Sequence, residues 1–264
     1  MSKQISNFRR KGLVFLTSVL CIGTLIAGFV LAIVAERNAV KMKNTRKTFS
    51  TVATEEWANP QFPRLHKTCN TTDVEFLTKT MNDTQTVASY AKEQLLVKGS
   101  NDTVYKRWFG DGPLYDVLGV IEGVANMTKM DVLLRCDDVD GLCAANPNYY
   151  AGHHRENADA ETVICDYFYE TRAWISDICS NGTLKEFPPT RYAGIDMIHR
   201  YFHVSFINED EYIGEFTEEA EDVLELAKAN STFAVRNVDN YLYYLADVYS
   251  SVHVPGGCLG MEEA

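Results

Sequence analysis

The chain has 264 residues, with 36 acidic and 25 basic side chains, and the charges are unevenly placed. Residues 1–47 hold 9 of the basic residues and one acid, Glu36, which leaves 16 basic and 35 acidic residues and a formal charge of −19 on the other 217. A surface of that sign repels phosphates, so nucleic acid is excluded as a partner.

Residues 12–35, GLVFLTSVLCIGTLIAGFVLAIVA, carry no charge. A bilayer-crossing helix needs about 20 apolar residues, whereas the apolar part of a signal peptide runs to about 7–15. This stretch is therefore expected to be an uncleaved transmembrane signal-anchor, with cleavage after Ala35 as the alternative. Residues 1–11 then form a cytosolic tail, 36–60 a polar stem, and 61–264 one folded domain. Basic residues flank both sides of the anchor, so they do not orient it. Cysteines and glycosylation sequons do. Cys21 lies in the apolar run, while Cys69, Cys136, Cys143, Cys165, Cys179 and Cys258 all follow it. An even set in an acidic domain points to three disulfides and an oxidising compartment. Six N-x-S/T sequons, at Asn70, Asn82, Asn101, Asn126, Asn181 and Asn230, also lie beyond it. The expected location is a single-pass membrane protein with an extracellular or lumenal C-terminal domain, or a secreted or cell-wall protein after cleavage.

Within the domain, Val74, Leu77, Met81, Val87, Tyr90 and Leu95 recur at helical spacing and predict a helix over 73–97, stopped at Gly99. A second helix is expected from Pro113 to Asn126. Asp131–Arg135 and Thr162–Phe168 have strand character. Asp137-Asp138-Val139-Asp140-Gly141 reads as a turn closed by Cys136 and Cys143, because it lacks the length and closing Glu of an EF-hand. The simplest remaining pairs are Cys165 with Cys179 and Cys69 with Cys258, although six cysteines permit 15 connectivities. The last third predicts helices over Tyr192–Phe206, from Glu215 or Phe216 to Ala229, and over Thr232–Val252. The last of these should turn Val235, Val238, Leu242, Leu245 and Val248 inward. The fold class is α+β with helices dominant.

The most informative stretch is Asp196-Met197-Ile198-His199-Arg200-Tyr201-Phe202-His203. Histidines at i and i+4 share one helix face, so both imidazoles can point at one cation, as in the zinc motif H-E-x-x-H. Zn2+ is the expected cofactor, with His199 and His203 as ligands. In a zinc peptidase the residue after the first His is a Glu that takes a proton from metal-bound water. Arg200 stands there instead. A guanidinium offers no acceptor and does not lose its proton, so it cannot be that base. Asp196, one turn earlier, is placed to pair with it. Zinc binding is thus indicated more firmly than hydrolysis. Acids between Glu209 and Asp222 supply candidates to close the site.

Leu-Arg-Cys-Asp-Asp at 134–138, Val-Ile-Cys-Asp at 163–166 and the HRxxH at 199–203 make one series with Val-Leu-Glu-Leu-Ala at 223–227, Asn-Ser-Thr at 230–232, Ala-Val-Arg-Asn at 234–237 and Tyr-Tyr-Leu-Ala-Asp-Val-Tyr at 243–249. With Cys69-Asn70-Thr71-Thr72 and Arg107-Trp108-Phe109-Gly110, they resemble the fungal HRxxH family of pH-regulated, zincophore-like surface antigens, itself distantly similar to the zinc endopeptidase deuterolysin. The resemblance implies a zincin-like, deuterolysin-like domain behind the N-terminal helix. Asn237-Val238-Asp239-Asn240-Tyr241 is similar to a segment that follows the zinc helix in deuterolysin. Relatives place acid-His-aromatic-Ala-Asp after HRxxH, where this chain has Gly214-Glu215-Phe216-Thr217-Glu218. The third ligand is therefore expected to be Glu215, then Glu218, then Asp239, with Asp196 and Arg200 behind the ligands. The chain ends at Glu262-Glu263-Ala264 without the Cys- and His-rich tail such relatives can carry, and with its membrane anchor it is a poorer candidate for a released zinc scavenger. The resemblance implies a zinc-binding cell-surface or secreted glycoprotein that is weakly catalytic or non-catalytic. An active zinc metalloendopeptidase and a metal-free interaction protein are the alternatives. Expected partners are a zinc ion, a peptide or protein, and the membrane through residues 12–35.

Overall fold

A computed structural model describes residues 62–126, 129–208 and 212–261. In chain order the elements are β1 (Arg64–Leu65), α1 (Thr71–Lys98), α2 (Thr103–Phe109), α3 (Leu114–Asn126), β2 (Leu133–Arg135), α4 (Leu142–Ala145), β3 (Gly152–Arg155), β4 (Ala158–Ile164), α5 (Asp166–Thr171), α6 (Ala193–Phe202), α7 (Ala220–Ala229), α8 (Ser231–Ala234) and α9 (Val238–His253). Among the described residues no helix is long and apolar enough to cross a membrane. The tail, anchor and stem expected over residues 1–60 lie outside them, as do Glu209, Asp210 and Glu211.

The helix-dominant α+β expectation holds. α1 starts where Asn70 and Asp73 cap each other: the Asn70 side chain accepts from Asp73 N at 3.1 Å, and Asp73 accepts from Asn70 N at 2.9 Å. Its inward face (Leu77, Met81, Thr84, Val87, Ala88, Ala91 and Leu95) packs on α6 and α9. α6 approaches α1 closely at Gly194, where a Cβ would stand 2.8 Å from Asp83 Cβ. The Thr84 hydroxyl donates to Gly194 O at 2.8 Å across that crossing. α9 is buried on nearly all sides, and its expected inward residues Val238, Leu242, Leu245 and Val248 are all sealed. Trp108 stacks on Tyr243, with centroids 4.9 Å apart, and its indole N–H donates to Asp247 at 2.9 Å. Arg107 also donates to that carboxylate, at 2.5 Å, so two of the sequence series fold onto one another.

The four strands form one sheet in the order β1-β2-β4-β3, with β1, β2 and β4 parallel and β3 antiparallel to β4. This order overturns the expected disulfides. The pairs are Cys69–Cys136, Cys143–Cys165 and Cys179–Cys258. Because Leu65 lies opposite Leu134 in parallel register, the residues that leave β1 and β2 emerge side by side, and Cys136 meets Cys69. Cys165, at the end of β4, hydrogen-bonds the backbone before β3 and meets Cys143 on α4. The turn at Asp137–Gly141 exists, but it is closed by Asp138, which accepts from Cys143 N and Ala144 N, and not by a disulfide.

Other boundaries shift for local reasons. The strand expected to reach Phe168 stops at Ile164, because Cys165 turns the chain and Asp166 opens α5. The helix expected over Tyr192–Phe206 runs only to Phe202, with His203 as its cap. The segment after Glu215 is not helical until Ala220. Gly214 bridges to Asn237, with Gly214 N donating to Arg236 O and Val238 N donating to Gly214 O. Those same bonds divide the predicted last helix into α8 and α9.

Candidate metal centre

His199 lies in the last turn of α6 and His203 caps it, one turn apart on the same face. Their Nε2 atoms face each other at 3.0 Å. Glu215 Oε1 completes the group at 2.5 Å from His199 Nε2 and 3.2 Å from His203 Nε2. Two neutral imidazoles and a carboxylate form a donor set suited to zinc. Tetrahedral bonds of about 2.0–2.1 Å would hold such donors roughly 3.3 Å apart, close to the spacing already present. The residues present therefore fit a zinc ion. Glu218 and Asp239 do not join the convergent group.

The Glu215 segment carries no regular structure of its own, so its position must come from elsewhere. Asn237, fully buried, supplies it. Its Oδ1 accepts from Phe216 N at 2.8 Å and Thr217 N at 3.3 Å, while its Nδ2 donates to Thr217 O at 2.9 Å and to Asn240 Oδ1 at 2.8 Å. One amide thus splints the third-ligand loop to the start of α9. Asn237 falls within two of the sequence motifs, but nothing in their spacing marks it as this splint.

Behind the histidines lies a buried ion network. Asp196 is fully buried and accepts from Arg172 Nε at 2.6 Å and Arg200 Nη2 at 3.0 Å. Burial works against its charge, yet Arg200 and Arg172 hold its carboxyl below the ordinary range. Arg200 Nη1 also donates to Gly152 O at 2.9 Å, fixing α6 to β3. The expected Asp196–Arg200 pairing is present, and Asp196 Oδ1 faces His199 Nδ1 at 3.7 Å. Arg172 went unnoticed in the sequence because it is 24 residues from its partner. His154 went unnoticed for a similar reason. It is packed beside His203, its ring nitrogens facing Asp159 O and Arg200 O, and burial lowers it to about 4.

The electrostatics favour a cation at the convergent group. Burial pushes His199 down, which keeps it neutral and able to bind metal. Hydrogen bonds from His199 and His203 hold Glu215 well below the usual carboxylate range. A cleft of about 330 Å³ opens beside His199, lined among others by Arg172, Glu218, Glu219, Asp239 and Tyr243. Burial, then the charges of Glu218, Glu215 and Glu219, raise Asp239 to about 8, and its Oδ2 has no hydrogen-bond partner.

Among the described residues, the six cysteines are all bridged. Asn70, Asn82, Asn101, Asn181 and Asn230 are exposed, whereas Asn126 is half-buried with its amide donating to Glu122.

Comparison with known proteins agrees with the sequence resemblance. A family model described as "HRXXH: Putative peptidase family" matches residues 13–261. Protein ZPS1 of Saccharomyces cerevisiae is 53% identical over 204 residues, covering 77% of this chain and 82% of that one. Antigen 1 of Emericella nidulans is 37% identical over 206 residues, covering 76% and 73%. A solved zinc peptidase from Grifola frondosa superposes with a TM-score of 0.49 at 14% identity, over 68% of this chain and 97% of that one.

Proposed function

This chain belongs to the HRXXH putative peptidase family, and on that premise we propose that it is a cell-surface or secreted glycoprotein that binds zinc through His199, His203 and Glu215 without efficient hydrolysis. One observation carries the reading: three donor atoms from α6 and the Glu215 segment meet within 3.2 Å, while the residue after the first histidine is a guanidinium committed to Asp196 and Gly152. Bound zinc would supply a Lewis acid there. The chain's own contribution is to present neutral imidazoles, splint Glu215 through Asn237, and hold Arg200 in an ion pair. Three disulfides and five exposed sequon asparagines support an oxidising, glycosylating route. Residues 12–35 would retain the protein at the membrane. Metal analysis of the purified protein should give one zinc at the histidine pair. Protein whose stability is unchanged by added zinc at pH 7.5 would overturn the reading.

A second reading, an active zinc endopeptidase, draws on Asp239. A buried carboxyl with a free oxygen lines the same cleft as His199 and, once ionised beside a bound metal, would offer the acceptor that Arg200 lacks. Chelator-sensitive cleavage of a mixed peptide library would establish this reading in place of the first.

A further inference from the structure

A second cluster of metal-binding atoms surrounds His153 on β3. The ring is buried, with 8% of its surface exposed, and its two nitrogens face different chemistry. Nε2 lies 2.8 Å from Asp140 Oδ1. Nδ1 faces the sulfurs of Cys143 at 3.9 Å and Cys165 at 4.0 Å. In the neutral ring, Asp140 fixes the proton on Nε2, which leaves the Nδ1 lone pair directed at a disulfide. A disulfide sulfur has no proton to give, so the buried lone pair gains little from that neighbour.

The same atoms make a well-arranged zinc site once the disulfide is opened. We propose that Cys143, Cys165 and His153, with Asp140 orienting the imidazole, form a second zinc site that is available only when the Cys143–Cys165 bond is reduced. A dithiol reductant gives two electrons and two protons to the bond, yielding two thiols and an oxidised, cyclised reductant. Zinc then displaces both thiol protons and takes two thiolates and Nδ1, with the fourth position left to water. Zinc bonds of about 2.3 Å to sulfur and about 2.0–2.1 Å to nitrogen set donors roughly 3.5–3.8 Å apart, close to the present nitrogen–sulfur spacings. Opening the bond lets the sulfurs part to that spacing.

The surroundings hold these donors in place without the bond. Asp138 accepts from Cys143 N at 3.1 Å and Ala144 N at 2.8 Å, anchoring the start of α4. Cys165 N donates to Ala151 O at 3.0 Å beside the sheet. The Asp140–His153 contact has the geometry of a carboxylate–histidine–metal triad, in which the outer carboxylate fixes tautomer and ring orientation. β3 separates this cluster from the first: His153 faces the sulfurs, while Gly152 O and His154 contact Arg200 on α6. The two sites are thus chemically independent, and the second stands whether or not the first binds zinc.

The test uses the full-length protein, titrated with dithiothreitol in the presence of zinc. Native mass spectrometry counts the metal, and alkylation mapping reports which cysteines have opened. Cobalt in place of zinc gives a thiolate-to-metal absorption band. A zinc dependent on His153 should appear as Cys143 and Cys165 become reduced, should survive His199→Ala, and should protect both thiols from alkylation. His153→Ala should remove it together with the cobalt band. Asp140→Asn should weaken it by about 10–100-fold, the usual loss for an outer-shell partner, and keeps the test open if His153→Ala fails to fold. The proposal is overturned if no His153-dependent zinc appears once both thiols are free, or if that zinc binds while the bond is intact.

Discussion

Arg200 Nη2 lies 3.0 Å from Asp196 Oδ1, one helical turn back, and this pair directs the guanidinium into the protein. Asp196 is shared with Arg172 and has no exposed surface, so Arg200 is part of a buried charge balance. Replacing it with the glutamate of a zinc peptidase would set two carboxylates against one arginine. Breaking such a network costs about 3–5 kcal/mol. Arg200→Glu is therefore expected to destabilise the domain by that amount and to gain no peptidase activity. Chemical denaturation and a peptide-cleavage assay check both parts, and a folded, active variant would show that Arg200 alone blocks catalysis.

Zinc affinity should follow the convergent group. His199→Ala and His203→Ala each remove a direct donor and should cost more than the about 10–100-fold typical of an outer-shell partner. Glu215→Ala should weaken binding far more than Glu218→Ala, because only Glu215 meets both imidazoles. Asn237→Ala should fall between them, since it leaves the donors intact and frees the loop that carries one. Calorimetric zinc titration orders the five. Equal losses for Glu215→Ala and Glu218→Ala would remove Glu215 from the site.

Binding should also depend on pH in a defined direction. Burial lowers His199, so protons compete with metal there only below its ordinary value of about 6.5. Glu215 is held below its usual range and stays ionised through that window. Affinity should hold from neutral to mildly alkaline pH and fall as pH drops toward 5. The same shift affects the apo fold. A histidine with a depressed folded pKa leaves the unfolded state binding more protons, so stability falls on acidification below about 6.5. His154, lowered to about 4, adds to that loss between about 6.5 and 4.

The helix pair and its arginine were legible because their signal is local: i and i+4 spacing places two imidazoles together whatever the rest of the chain does. Glu215 was reachable only through resemblance, since spacing does not bring a residue 16 positions away back to His199. Its position depends on Asn237 and on the Gly214–Asn237 bridge, long-range backbone pairing that also cut two predicted helices short. The disulfides failed for the same reason. Proximity in sequence favoured Cys136 with Cys143, but parallel pairing of β1 with β2 delivers Cys136 to Cys69. The turn between Cys136 and Cys143 is present, but Asp138 closes it with local bonds in place of the expected disulfide.

Those pairings make a direct prediction. Peptide mapping under non-reducing conditions should recover Cys69 with Cys136, Cys143 with Cys165 and Cys179 with Cys258. Removing Cys179–Cys258 by double serine substitution should cost about 2–5 kcal/mol, because the bond closes a loop of 79 residues and fixes Cys258 beside Leu184. A peptide joining Cys136 to Cys143 would contradict the strand register as well as the bond.

Asp239 provides the last test. Its carboxyl is buried among Glu218, Glu215 and Glu219, has a free oxygen, and is raised to about 8. A raised folded pKa means that the native state holds a proton the unfolded state releases near its ordinary value of about 3.9. The stabilisation from that proton is complete below the unfolded value and is lost as pH rises through about 8. In the apo protein, Asp239→Asn keeps a neutral group of the same shape and should remove this loss. The variant should match the parent near pH 4 and exceed it by several kcal/mol at pH 9. Zinc should shrink the difference, because a divalent charge beside Glu215 offsets the acids that face Asp239. Thermal melts of both proteins across that pH range, with and without zinc, measure the effect. Parallel stability curves for parent and variant would show that Asp239 is already ionised at neutral pH, and would return it to consideration as a metal ligand.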